Sequence, residues 1–141
     1  MKKIVLASAI AALMIGTAHA ANKAEVIVDS NQQFLEHMIP VNNSGITGTI
    51  TVIPVAADKT KLVATIKGKN VAGPMPFSIN LGRCDNSAAK VKYPLTDVVH
   101  GKSETVINAA TGSLFQPDSL SFSLAESKST PNKTVACGDI Q

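Results

Sequence analysis

From Ile46 to Val55 the chain reads ITGTITVIPV, with Ile46, Gly48, Ile50 and Val52 at one set of alternate positions and Thr47, Thr49 and Thr51 at the other. An extended strand sends successive side chains to opposite faces, so this period of two predicts a strand with one buried face. Lys61 to Lys67, KLVATIK, repeats the pattern with Leu62, Ala64 and Ile66. The segment between them, Ala56 to Thr60, is polar enough for a hairpin loop, and the two strands are expected to pair antiparallel. Shorter strand patterns occur at Glu25–Val28, Met75–Leu81, Glu104–Asn108, Leu120–Ala125 and Thr134–Ile140. Gly68, Gly73-Pro74, Gly82, Gly101, Gly112, Pro117 and Pro131 punctuate them. Only Ser30–Met38, SNQQFLEHM, has the pattern of a short helix, with Ser30 as its cap. About seven short strands separated by turns predict an all-β Greek-key sandwich or flattened barrel. The chain shows no internal repeat, linker or low-complexity tract.

The first residues read differently. Lys2 and Lys3 precede an apolar run from Ile4 to Ile15, which closes on Ala18-His19-Ala20. The run is too short for a membrane span and has the form of a secretory signal peptide, residues 1–20, cleaved after Ala20. One domain, residues 21–141, is then expected in the periplasm. No cysteine stands at the cleavage point to carry a lipid anchor, so no membrane anchor is expected. Without Lys2 and Lys3 the chain has 11 basic against 10 acidic residues, a net charge of +1. Acidic and basic residues are interspersed, and no basic cluster is interleaved with aromatics, which argues against nucleic acid as a partner. With no Trp, one Tyr and four Phe, the core must be built mainly from Val, Ile, Leu and Ala.

An exported chain with two cysteines most often joins them. Cys84 and Cys137 can form a single intramolecular bridge, and on the chain-entropy model a loop of this size contributes roughly 4 kcal/mol. There is no Cys-x-x-Cys motif, so a structural staple is a better reading than a redox site.

The residues around these cysteines resemble those of a family. Ser78-Ile79-Asn80-Leu81-Gly82-Arg83-Cys84, Tyr93-Pro94-Leu95, Gly101-Lys102-Ser103-Glu104-Thr105 and Ala136-Cys137-Gly138-Asp139-Ile140 follow the order of landmarks in bacterial proteins similar to copper-zinc superoxide dismutase. Ile46 to Ile50 and Leu62 to Gly68 look like that family's first hairpin. The resemblance covers about two thirds of the mature chain. It implies the Greek-key fold and a disulfide between Cys84 and Cys137. It also implies where copper ligands would stand, and there the residues differ. The family's His-x-His falls on Ser78 and Asn80, and a third copper histidine falls on Ala125. The loop after Cys84 offers only Asp85, Asp97 and His100, and the family's active-site arginine falls on Thr134. Serine and alanine do not ligate copper usefully, and an Asn carbonyl is a poor donor for it. The resemblance thus implies the scaffold without its metal site, so no dismutase activity and no catalytic residue are expected.

Two histidines, His37 and His100, remain after the signal peptide, too few for an all-histidine metal site. His37, Met38 and Met75 are the remaining soft donors for a copper site of another kind, although Met38 and Met75 also fit as core residues. There is no Gly-x-Ser-x-Gly elbow and no phosphate-binding Gly-rich loop followed by Lys-Ser/Thr. The sequence therefore points to an exported, non-catalytic binding or interaction domain with no cofactor. Its alternative is a periplasmic copper-handling protein. The partner would be another protein or a second copy of the chain. The expected binding surface is the face where the family's site would open, with Ser78, Asn80 and Arg83 and, near them, Glu126 and Lys128.

Overall fold

The computed structural model describes residues 32–85, 90–116 and 119–141. The signal-peptide segment and the strand expected at Glu25–Val28 lie outside them. Eight strands follow in order: β1 (Phe34–Pro40), β2 (Thr47–Ala56), β3 (Lys59–Lys67), β4 (Met75–Leu81), β5 (Val91–Val98), β6 (Lys102–Ile107), β7 (Leu120–Ser127) and β8 (Thr130–Asp139). Among the described residues one short helical turn, α1 (Thr111–Leu114), lies between β6 and β7. All strand pairs are antiparallel, in the spatial order β5-β4-β7-β8-β1-β2-β3-β6. β4, β5 and β6 follow one another around the wall, and β7 returns to lie beside β4, which is a Greek key.

The sheet curls until β5 and β6 meet and is a nearly closed barrel. At this seam the backbone ladder gives way to an isolated bridge, Val99 with Lys102, and to hydroxyl groups. Thr96 N–H donates to Thr105 Oγ1 at 2.8 Å, and Ser103 Oγ donates to the Thr96 carbonyl at 2.6 Å. These hydroxyls satisfy backbone groups that would otherwise need a neighbouring strand.

The alternation expected for β2 and β3 is present: Ile50, Val52, Leu62, Ala64 and Ile66 all face the core. They meet Phe77, Ile79, Phe122 and Leu124 from the other half of the wall. The Phe77 and Phe122 rings stack with centroids 5.9 Å apart.

Two expectations are corrected. The stretch read as a helix at Ser30–Met38 is a strand from Phe34 onward, because β1 pairs with β2 from Phe34↔Val52 to Met38↔Gly48. Its apolar residues Phe34, Leu35, Met38 and Ile39 fit helical spacing as well as strand spacing, and the partner strands decide between them. β5 went unpredicted: Pro94 interrupts it, and its pairing with β4 shifts register twice.

β1 and β8 approach closely at Gly138. A Cβ built on Gly138 would overlap the His37 carbonyl oxygen and crowd Met38 Cα, both of them backbone atoms. Backbone cannot swing aside as a side-chain end can. Gly138→Ala is therefore expected to push β1 away from β8 and to lower stability by about 1–3 kcal/mol or more in chemical denaturation.

Candidate functional site

Residues opposite each other in an antiparallel pair point to the same face, so the outer surface can be read from the register. Ser78 stands opposite Pro94 on one side and Ser123 on the other, and Ser123 stands opposite Cys137. In the next row Asn80 stands opposite Ser121, which stands opposite Asp139. These rows lie outside the barrel, since the intervening Phe77, Ile79, Phe122 and Leu124 fill its core. Yet Ser121 is only 2 % exposed and Ala125 7 %. Two positions on the outer face of β7 are thus covered, while Ser123 between them is half-buried.

The cover is held by two linked contacts. Cys84 and Cys137 are joined by a disulfide with Cα atoms 5.8 Å apart. Beside it, Asp139 accepts a hydrogen bond from Cys84 N–H at 2.7 Å on one carboxylate oxygen. The other oxygen pairs with the Arg83 guanidinium at 2.9 Å. The segment after β4 is thereby fixed against the end of β8. On the other side, Asn42 Nδ2 donates to the Thr134 carbonyl at 2.8 Å, which holds the β1–β2 connection against β8.

Between these covers runs an open groove of about 850 Å³, within the ~300–1,000 Å³ typical of ligand clefts. Ser78, Asn80, Ser121, Ser123, Ala125 and Thr134 line it. Ser78 Oγ donates to Asn80 Oδ1 at 2.7 Å.

The expected binding surface is only partly gathered here. Ser78, Asn80 and Arg83 line the groove, whereas Glu126 and Lys128 do not. Glu126 pairs with Lys133 at 2.9 Å and accepts a bond from Thr130 Oγ1. The hydrogen bond from Lys133 is the main reason its carboxyl is held below the ordinary value. Lys128 reaches from the β7–β8 turn to Asp97 at 3.2 Å. Asp97 itself lies on β5, and His100 lies in the β5–β6 turn with its N–H donating to the Ala72 carbonyl. Neither sits in a loop directly after Cys84. The sequence reading missed Asp139, Ser121 and Ser123.

His37, Met38 and Met75 are not brought together as a donor set. Met38 is 2 % exposed and Met75 1 %, both within the core, while the strand turns His37 outward. Among the described residues, no group of three or more His, Cys, Asp or Glu side chains is placed to hold a metal ion. At the positions where the resemblance implies copper ligands, Ser78, Asn80 and Ala125 offer no imidazole, so the residues present do not fit that metal. Comparison with protein-family models, with curated proteins and with solved structures found no match.

Beside His37, burial pushes the Glu36 carboxyl above its ordinary value, opposed by the Gln141 backbone N–H and by the charge of His37. A carboxyl whose folded value is raised favours the fold while protonated, and that contribution is lost as pH rises through the raised value. Glu36→Gln is expected to be more stable than the native chain at neutral pH, with the difference shrinking as the pH falls through the carboxylate range. Denaturation midpoints measured across that range check this; a difference that grows on acidification contradicts it.

Proposed function

We propose that this chain is an exported, periplasmic, non-catalytic domain of the superoxide dismutase-like class, which uses the groove over β4 and β7 to bind a partner. The observation that carries the reading is the convergence of Ser78, Asn80 and Ala125 on a single outer groove. Ala125 on β7 is distant in sequence from Ser78 and Asn80 on β4, and the resemblance alone puts copper histidines at all three. Their meeting beside the Cys84–Cys137 bridge supports a shared scaffold. Their chemistry supports a changed use, since a serine, an asparagine and an alanine cannot support the redox cycling that imidazole ligands allow. The Greek-key order of strands is compatible with the same scaffold, although fold alone carries no activity. The copper-handling alternative loses its donors, because Met38 and Met75 are in the core and His37 faces away from them.

Equilibrium dialysis of the oxidised chain from Ala21 onward against cuprous and cupric ions, followed by a superoxide dismutation assay, tests this. The expected result is no stoichiometric copper and no rate above a free-copper blank. One copper retained per chain together with dismutation would overturn the proposal.

A further inference from the structure

The groove has a donor and acceptor pattern from which the class of its ligand can be argued. Ser78 and Asn80 on β4 stand opposite Ser123 and Ser121 on β7, and such opposed residues hold their Cβ atoms about 4.5–5.5 Å apart. The bond from Ser78 Oγ occupies Asn80 Oδ1 and orients the carboxamide, leaving two N–H donors on Asn80 Nδ2 for another molecule. Ser121 lines the groove but is almost fully buried, and among the described residues no buried side-chain oxygen or nitrogen lacks a hydrogen-bond partner.

The charges around the groove decide against ionic ligands. Arg83 is paired with Asp139 and Asp97 with Lys128. Among the described residues, Asp85 is then the charged side chain on the lining without an ion-pair partner. An anion would meet a carboxylate and no unpaired cation. The aromatic residues decide against sugar rings and bases. Phe77 touches the groove but is 4 % exposed and turned into the core, so no ring face is offered for stacking. The apolar part of the lining is aliphatic and includes Pro76, Pro94 and Pro131.

Amide N–H donors, hydroxyls that both donate and accept, aliphatic walls and balanced charge together match a polypeptide main chain, which alternates N–H and C=O groups. We infer that the groove takes an extended, uncharged stretch of polypeptide, with its main-chain amides bonded by Asn80 and Ser123. This inference rests on the reading of the groove as the binding surface.

The test is titration of ¹⁵N-labelled oxidised protein with pools of acetylated, amidated hexapeptides made from Ala, Gly, Ser, Val and Asn. Parallel titrations use maltotriose and inorganic phosphate. The neutral peptides are expected to move the amide resonances of Asn80, Ser121 and Ser123. Asn80→Ala and Ser123→Ala, each on the solvent side of its strand, are expected to weaken that binding about three- to tenfold while leaving the remaining spectrum in place. No movement of these resonances with any peptide pool overturns the inference. If maltotriose or phosphate moves them and peptides do not, the ligand class is wrong and the groove remains the binding surface. If peptides move only resonances on the opposite wall, such as Thr49 and Thr65, both readings fail.

Discussion

The link between Cys84, Cys137 and Asp139 is the constraint on which the outer face of this barrel depends. The disulfide joins residues 53 apart in sequence, and on the chain-entropy model a loop of that length is worth roughly 4 kcal/mol. Small domains are stable by only about 5–15 kcal/mol in total, so the bridge supplies a large share. Its position matters as much as its magnitude. Cys137 faces outward on β8, in the row of Ser78 and Ser123, so the bridge draws the segment after β4 across the outside of the barrel instead of stitching its core. Asp139 adds direction by holding the Cys84 N–H and the Arg83 guanidinium with its two oxygens. Small side chains at Ser121, Ser123 and Ala125 leave space beneath this cover, and that space is the groove.

The rest of the barrel is a more ordinary arrangement of aliphatic strands. Its weak point is the seam between β5 and β6, where hydroxyls of Ser103 and Thr105 substitute for a continuous ladder. An open sheet edge invites pairing with another chain, and lysines and proline on edge strands oppose it. β5 carries Lys92 and Pro94, and β6 carries Lys102 and Glu104. The same Pro94 that guards the edge also lies along the groove, so β5 serves both the seam and the site.

The parts of this fold legible in the sequence are those with one buried and one open face. β2 and β3 show their alternation directly because Thr47, Thr49 and Thr51 look outward while Ile50 and Val52 look in. β7 alternates in residue type, but its outward Ser121 is buried all the same, which no local pattern records. β1 carries apolar spacing shared by strand and helix, and its identity depends on β2 and β8. Ser78 and Asn80 are legible only through the family resemblance, since serine and asparagine in a strand carry no signal of their own. Asp139 had a faint one: an acidic residue two places after the terminal cysteine, within reach of whatever that cysteine holds.

The staple organises the outer groove, while the aliphatic core stands independently of it. Residue-resolved hydrogen exchange before and after reduction of the disulfide tests this most directly. Faster exchange is expected at Cys84 and along β7 and β8 from Ser121 to Asp139 on reduction, with β2 and β3 amides such as Ile50 and Ala64 still protected. Equal loss of protection throughout the barrel, or unchanged exchange at Cys84 and β7, would contradict it.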